Sequence, residues 1–90
     1  MKWLVSFKGH WVYQRPDGSL SPNADDDFLW LIDKQPVVFV ATCVKAMHEL
    51  GLRTPDPHSQ WPRAMNVSFI YSAFEVPDGM LTAEQEDWLQ

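Results

Sequence analysis

Lys2-Trp3-Leu4-Val5-Ser6-Phe7-Lys8-Gly9-His10-Trp11-Val12-Tyr13-Gln14 is the stretch on which the fold turns. Its odd positions are Trp3, Val5, Phe7, Gly9, Trp11 and Tyr13; its even positions are Lys2, Leu4, Ser6, Lys8, His10, Val12 and Gln14. Alternation with period two puts successive side chains on opposite sides of an extended chain, so the segment reads as a strand with one buried, aromatic face. Gly9 stands where that face would otherwise continue. A two-residue turn at Lys8-Gly9 would pair Phe7 with His10 and send Trp11 and Tyr13 to the side opposite Trp3, so the better reading is a bulge in one long, bent strand.

Working outward, Arg15-Pro16-Asp17-Gly18 supplies the fixed φ of proline and the positive φ open to glycine, which predicts a chain reversal into a short strand near Ser19 to Ser21. The same triplet returns at Pro77-Asp78-Gly79, but its flanks do not match, so it marks an independent turn and no repeat. Three aspartates, Asp25, Asp26 and Asp27, precede the apolar run Phe28 to Ile32. Acids in a first turn offset the partial positive charge of a helix N-terminus, so a short helix is predicted from Asp25 to Lys34, closed by Pro36.

Proline is also favoured at the first position of a helix, and Val37 to Leu50 reads as a second one ended by Gly51. Thr42, Lys45, His48 and Glu49 then define its polar side, with Val37, Val40, Ala41, Val44 and Met47 facing inward. A buried strand over Val37 to Cys43 competes, because four of those seven residues are β-branched. Length favours the helix. Arg53 to Arg63 holds Pro55, Pro57 and Pro62 and reads as a loop. Met65, Val67, Phe69, Tyr71 and Ala73 alternate with Asn66, Ser68, Ile70 and Ser72, a second strand. Thr82 with Gln85 three residues on forms a capping box, predicting a terminal helix from Ala83 to Leu89 with Trp88 as its apolar anchor.

Ninety residues suit one hydrophobic core, so the chain is expected to form a single compact domain, 1–90. Its class is α+β: a small antiparallel β-sheet with two or three helices packed on one face. At 46% hydrophobic and 21% charged residues the composition is too apolar for intrinsic disorder.

Seven Lys and Arg against twelve Asp and Glu give a net charge of −5, which opposes direct binding to nucleic acid or anionic lipid. A lone cysteine, Cys43, cannot form an internal disulfide, and the short apolar run after Lys2 lacks the length of a signal peptide, so a cytoplasmic setting is expected. The longest run without a formal charge is too short to span a bilayer.

The chemical motifs are mostly missing. Cys43 and His48 lack the spacing of structural zinc ligands, and the Asp25–Asp27 run lacks the alternating oxygens and the central glycine of a calcium loop. Neither a nucleophile elbow nor a phosphate-cradling glycine loop occurs. Aromatics interleaved with Lys2, Lys8 and Arg15 resemble a stacking platform for single strands, yet the alternation puts the aromatics and the two lysines on different faces. No metal site, no cofactor and no catalytic residue is therefore expected.

Five Trp in so short a chain are more than a small core needs, and Trp and Tyr dominate binding hot spots. Trp61, beside Pro62 in the proline-rich loop, is the hardest to assign to packing alone. The expected function is a small acidic protein-binding module, an inhibitor or adaptor of the toxin-neutralising or phage anti-defence type. Asp25, Asp26, Asp27, Trp61, Glu84, Glu86 and Asp87 would meet a basic, nucleic-acid-handling protein partner. The alternative is a minimal enzyme or small-ligand-binding protein with its site at the 53–63 loop, using Arg53, His58 or Arg63. A monomer and a homodimer joined through sheet edges are both compatible with the sequence.

Overall fold

The computed structural model describes residues 1–50 and 61–89. Strand β1, Lys2–Gln14, runs unbroken through Gly9 and forms the centre of the sheet. Gly18, at φ 86°, closes the turn after it by donating its N–H to the Arg15 carbonyl at 2.9 Å, while the Asp17 carboxylate accepts from the Ser19 N–H. Strand β2, Leu20–Pro22, pairs with Val12–Gln14, and strand β3, Asp26–Ile32, pairs with Trp3–Gly9. The two lie end to end along one edge of β1. Strand β4, Arg63–Val76, covers the other edge, and every pairing is antiparallel.

β3 replaces the helix expected over Asp25 to Lys34. Its residues Phe28, Trp30 and Ile32 stand opposite Phe7, Val5 and Trp3, so the aromatic sides of the two strands coincide. Phe7 stacks on Phe28 with ring centroids 5.3 Å apart and meets the Trp30 ring edge-on at 5.2 Å. A helix would spread those rings around its circumference. Cross-strand contacts of this kind outweigh the weak pull of acids toward a helix first turn. The aspartates serve the strand entry instead: Asp26 Oδ1 accepts the Asp27 N–H at 2.8 Å.

Helix α1, Pro36–Glu49, lies where the sequence predicts the second helix, with proline at its start. Its orientation differs from the expectation. Phe39, Cys43 and Ala46 are buried, at the i, i+4, i+7 spacing of one helix face, whereas Val37, Ala41 and Val44 are exposed. Phe39 decides the rotation, because its ring reaches both Phe7 at 5.5 Å and Trp30 at 5.9 Å. Val5, Phe7, Phe39, Cys43 and Met65 make the buried core between helix and sheet.

Gly9 is required by close approach. A Cβ there would sit 2.5 Å from the Asn66 carbonyl oxygen of β4, a backbone atom. The predicted irregularity at this point exists, but the extra residues belong to β4: the register skips between Ser6 and Phe7 and again between Lys8 and Gly9, leaving Tyr71 and Ser68 without an opposite residue.

Helix α2, Ala83–Trp88, has the predicted capping box, with Gln85 N–H donating to Thr82 Oγ1 and Thr82 N–H to Gln85 Oε1. It is short, none of its side chains is buried, and Trp88 is 84% exposed rather than an anchor. Backbone and charge hold it at the Lys2 end of the sheet: Leu31 N–H donates to the Leu89 carbonyl at 2.7 Å, and Lys2 Nζ pairs with Glu86 at 2.8 Å. Among the described residues the architecture is thus a four-stranded antiparallel sheet with one helix, not two or three, packed on a face. No helix among the described residues is long and apolar enough to cross a membrane.

Candidate functional site

The two bulges of β4 determine what its far side presents. Strict alternation would put Phe69 and Tyr71 on the core side with Met65. Instead Ile70 stands opposite Phe7 and Ala73 opposite Val5, both packed on the core, and Phe69 stands opposite Lys8. Slipping a strand by one residue moves its side chains to the other face, and two single-residue bulges do so twice within this strand. Phe69 at 60% exposure and Phe74 at 63% therefore look away from α1, joined by exposed Tyr71 and by Leu29 of β3. Phe69 and Tyr71 touch edge to face at 5.5 Å. The result is a set of exposed apolar side chains on β3 and β4, with Ser6 and Lys8 of β1 between them, on the side of the sheet that the helix does not cover.

A polar network borders that set. Asp25 Oδ1 lies 2.7 Å from His10 Nδ1 and accepts from Ser68 Oγ at 3.5 Å; Tyr71 reaches over the sheet to donate its hydroxyl to Asp27 Oδ1 at 2.9 Å. The His10 bond holds the Asp25 carboxyl below the usual carboxylate range, against a smaller opposing effect of desolvation, with Lys8 adding attraction. Donation to Asp27 raises the Tyr71 phenol above its ordinary value, since ionising it would set a phenolate beside a carboxylate.

Asp25, His10 and Ser68 are the residue types of a hydrolytic triad, but they are joined in another order. His10 Nε2 faces the Asn66 amide at 3.3 Å, and Ser68 bonds to the carboxylate rather than to the imidazole. A triad needs its base against the nucleophile. What the network does is fix two carboxylates in place beside exposed aromatic rings.

The residues expected to bind a partner fall in three places. Asp25, Asp26 and Asp27 lie near mid-sheet, with Asp26 opposite Gly9 and Asp27 opposite Lys8. Glu84, Glu86 and Asp87 sit on α2 at the Lys2 end. Six residue steps along β1 take Gly9 to Trp3, about 20 Å at a strand's rise, so the acidic segments flank β3 as two clusters and do not merge. Trp61 lies at the other end, half-buried beside Gln14, Arg15, Pro16 and Gly18. Arg53 and His58 lie outside the described residues. Arg63, from the end of that loop, lays its guanidinium over the Trp11 ring at 3.9 Å. Among the described residues no group of acids, histidines and cysteine is placed to hold a metal ion, and Cys43 is buried.

Sequence reasoning did not single out Leu29, Phe69, Tyr71 or Phe74 as surface residues. The available signal was the count of aromatics in β4, which exceeds what one strand can place against a single helix. Among the described residues the fold is α+β, one sheet and one packed helix, with exposed aromatic rings and two held carboxylates on the open face. Comparison with known proteins finds no matching family model, no matching curated protein and no matching solved structure.

Proposed function

We propose that this chain is a protein-binding module of the adaptor or inhibitor type, and that its contact surface is the helix-free face of the sheet. The observation that carries the reading is the set of Leu29, Phe69, Tyr71 and Phe74, apolar and exposed, with Asp25 and Asp27 along its border. Large rings with few rotatable bonds make anchors at the centre of an interface, and a charged rim selects and steers the partner. The partner's chemistry follows from complementarity: an apolar hollow rimmed by Lys or Arg, the kind of surface a nucleic-acid-handling protein offers. Hydrogen bonds from His10, Ser68 and Tyr71 hold the two outer carboxylates before any partner arrives, which lowers the ordering cost of association.

The test is to capture partners with the tagged full chain, prepare the stoichiometric one in pure form, and measure its affinity at low and high salt. The double variant Phe69→Ser/Phe74→Ser and the charge reversal Asp27→Lys are measured alongside. A basic partner that loses about tenfold or more in affinity with each variant, and binds more weakly in high salt, supports the reading. A partner that ignores the Phe69/Phe74 variant, or a chain that retains none, overturns it.

A further inference from the structure

His10 puts its ring into the polar border of the open face, and both ring nitrogens are engaged there. Nδ1 lies 2.7 Å from Asp25 Oδ1, and an ionised carboxylate only accepts hydrogen bonds, so Nδ1 carries a hydrogen. The second nitrogen then records the charge of the ring: Nε2 accepts when the imidazole is neutral and donates when it is an imidazolium. Opposite His10 on β4, the Asn66 amide turns its Nδ2 to that nitrogen at 3.3 Å, which satisfies the neutral ring. A half-turn of the amide about its last bond would present Oδ1 in the same place and satisfy the charged one. Each protonation state thus has a hydrogen-bonded arrangement with the backbone unmoved.

We propose that His10 and Asn66 form a proton-sensing switch for the open face: protonating His10 flips the Asn66 amide and sets a positive charge against Asp25, so a basic partner binds more weakly at pH about 5.5 than at about 7.5. The inference rests on the open face being the protein-binding surface, and adds its regulation. Among the described residues, the groups facing His10 are few. β1 contributes Lys8, the segment before β3 contributes Asp25, and β3 contributes Asp27, opposite Lys8; β4 contributes Asn66, Ser68 and Tyr71, none of them charged. Asp26 stands opposite Gly9, on the side that Phe28 and Trp30 share. Aspartate and lysine side chains ordinarily keep their charge between pH about 5 and 8. The bond to His10 holds the Asp25 carboxyl below the usual carboxylate range and Asp27 holds the Tyr71 phenol above its own, so both move away from that window. A change of charge there belongs to the ring. Two carboxylates against Lys8 leave this border negative while His10 is neutral, and protonation cancels that excess, which is what steers a partner rimmed by Lys or Arg.

The experiment titrates the full chain by NMR from pH about 8 to about 5, following the His10 ring and the Asn66 side-chain amide. Both should move with one midpoint. In the same samples at low salt, a cationic nitroxide, trimethylammonio-TEMPO, and an anionic one, carboxy-TEMPO, report the local potential through relaxation of the Phe69 and Tyr71 amide protons. The cationic-to-anionic ratio should fall about two- to threefold across that midpoint and stay flat in His10→Gln. With the captured partner, affinity should drop about threefold or more between the two pH values for wild type, and the drop should vanish in His10→Gln. Asn66 resonances that ignore the ring, a probe ratio that is flat or rises, or the same pH dependence in His10→Gln overturns the switch. The wild-type titrations need neither variant nor partner, so they decide it even if His10→Gln unfolds. Indifference of the partner to the Phe69/Phe74 variant, with the titrations as expected, would instead overturn the protein-binding reading of the face and with it the switch as a control on binding.

Discussion

On the helix side of the sheet, Phe7 is fully buried, with Phe28, Trp30 and Phe39 at ring separations of 5.3, 5.2 and 5.5 Å; on the other side, Phe69 and Tyr71 meet at 5.5 Å and each remains more than half exposed. The aromatic pairs are alike in chemistry and spacing. They differ in what lies above them, and that follows from backbone geometry: β1 keeps one phase of alternation throughout, whereas β4 changes phase at Ser68 and at Tyr71. A ring on the first side stabilises the fold by removing apolar area from water. A ring on the second leaves that area available to another molecule.

The largest effect that would sharpen this contrast is truncation of a ring on each side. Phe7→Ala should cost about 3–5 kcal/mol of stability through lost burial and a cavity. Phe74→Ala should stay within about 0.5 kcal/mol, as for a surface position. Denaturant unfolding of both variants measures the difference, and similar losses would mean that the open face is packed against something in the free protein.

Next in size is Gly9→Ala. The added methyl would meet the Asn66 carbonyl oxygen, which cannot rotate away as a side chain would, so β1 and β4 must part locally. A loss of about 1–3 kcal/mol is expected, the range of overpacking in a dense interior. The same displacement would disturb the Asn66–His10–Asp25 array on the opposite face. Chemical shifts of the His10 ring in Gly9→Ala would register that coupling, and unchanged shifts would show the two faces to be mechanically independent.

How far the sequence reveals this arrangement differs from element to element. β1 is legible because its period-two pattern is continuous and its partners lie on both edges. α1 is legible in extent from Pro36 and its length, but not in rotation: Val37, Val44 and Phe39 are all apolar, and only the position of Phe7 and Trp30 selects Phe39 as the inward residue. β3 is misread because its determinant is non-local. The match of Phe28 and Trp30 to Phe7 and Val5 exists only once the strands are paired. The aromatic set is hidden for the same reason, since a bulge leaves no reliable mark in a run such as Val67-Ser68-Phe69-Ile70-Tyr71. The acidic half of the candidate site is visible within the run Asp25 to Asp27, while its placement beside Phe69 and Tyr71 depends on two bulges in a strand some 40 residues away.

The smallest effect concerns the acid limb of stability, and it separates the polar border from the rings. Asp25 has its pKa lowered in the folded protein, first by the hydrogen bond from His10. A carboxyl whose folded value lies below its unfolded value contributes stability above the unfolded value, near 3.8, and loses it as pH falls through the folded one. Wild-type protein should therefore be more stable than Asp25→Asn at pH about 6, with the gap narrowing toward pH about 3, below the unfolded value, where the unfolded carboxyl takes up its proton before the folded one. Because the carboxylate is exposed, the gap should be small and should shrink further in high salt. Phe74→Ala should show no such pH dependence relative to wild type, since it removes no titrating group. Thermal unfolding of the three proteins at the two pH values is the measurement. A gap that stays constant with pH would mean that the His10–Asp25 contact does not favour the ionised carboxylate, and the border would then be a solvated run of acids rather than a held array.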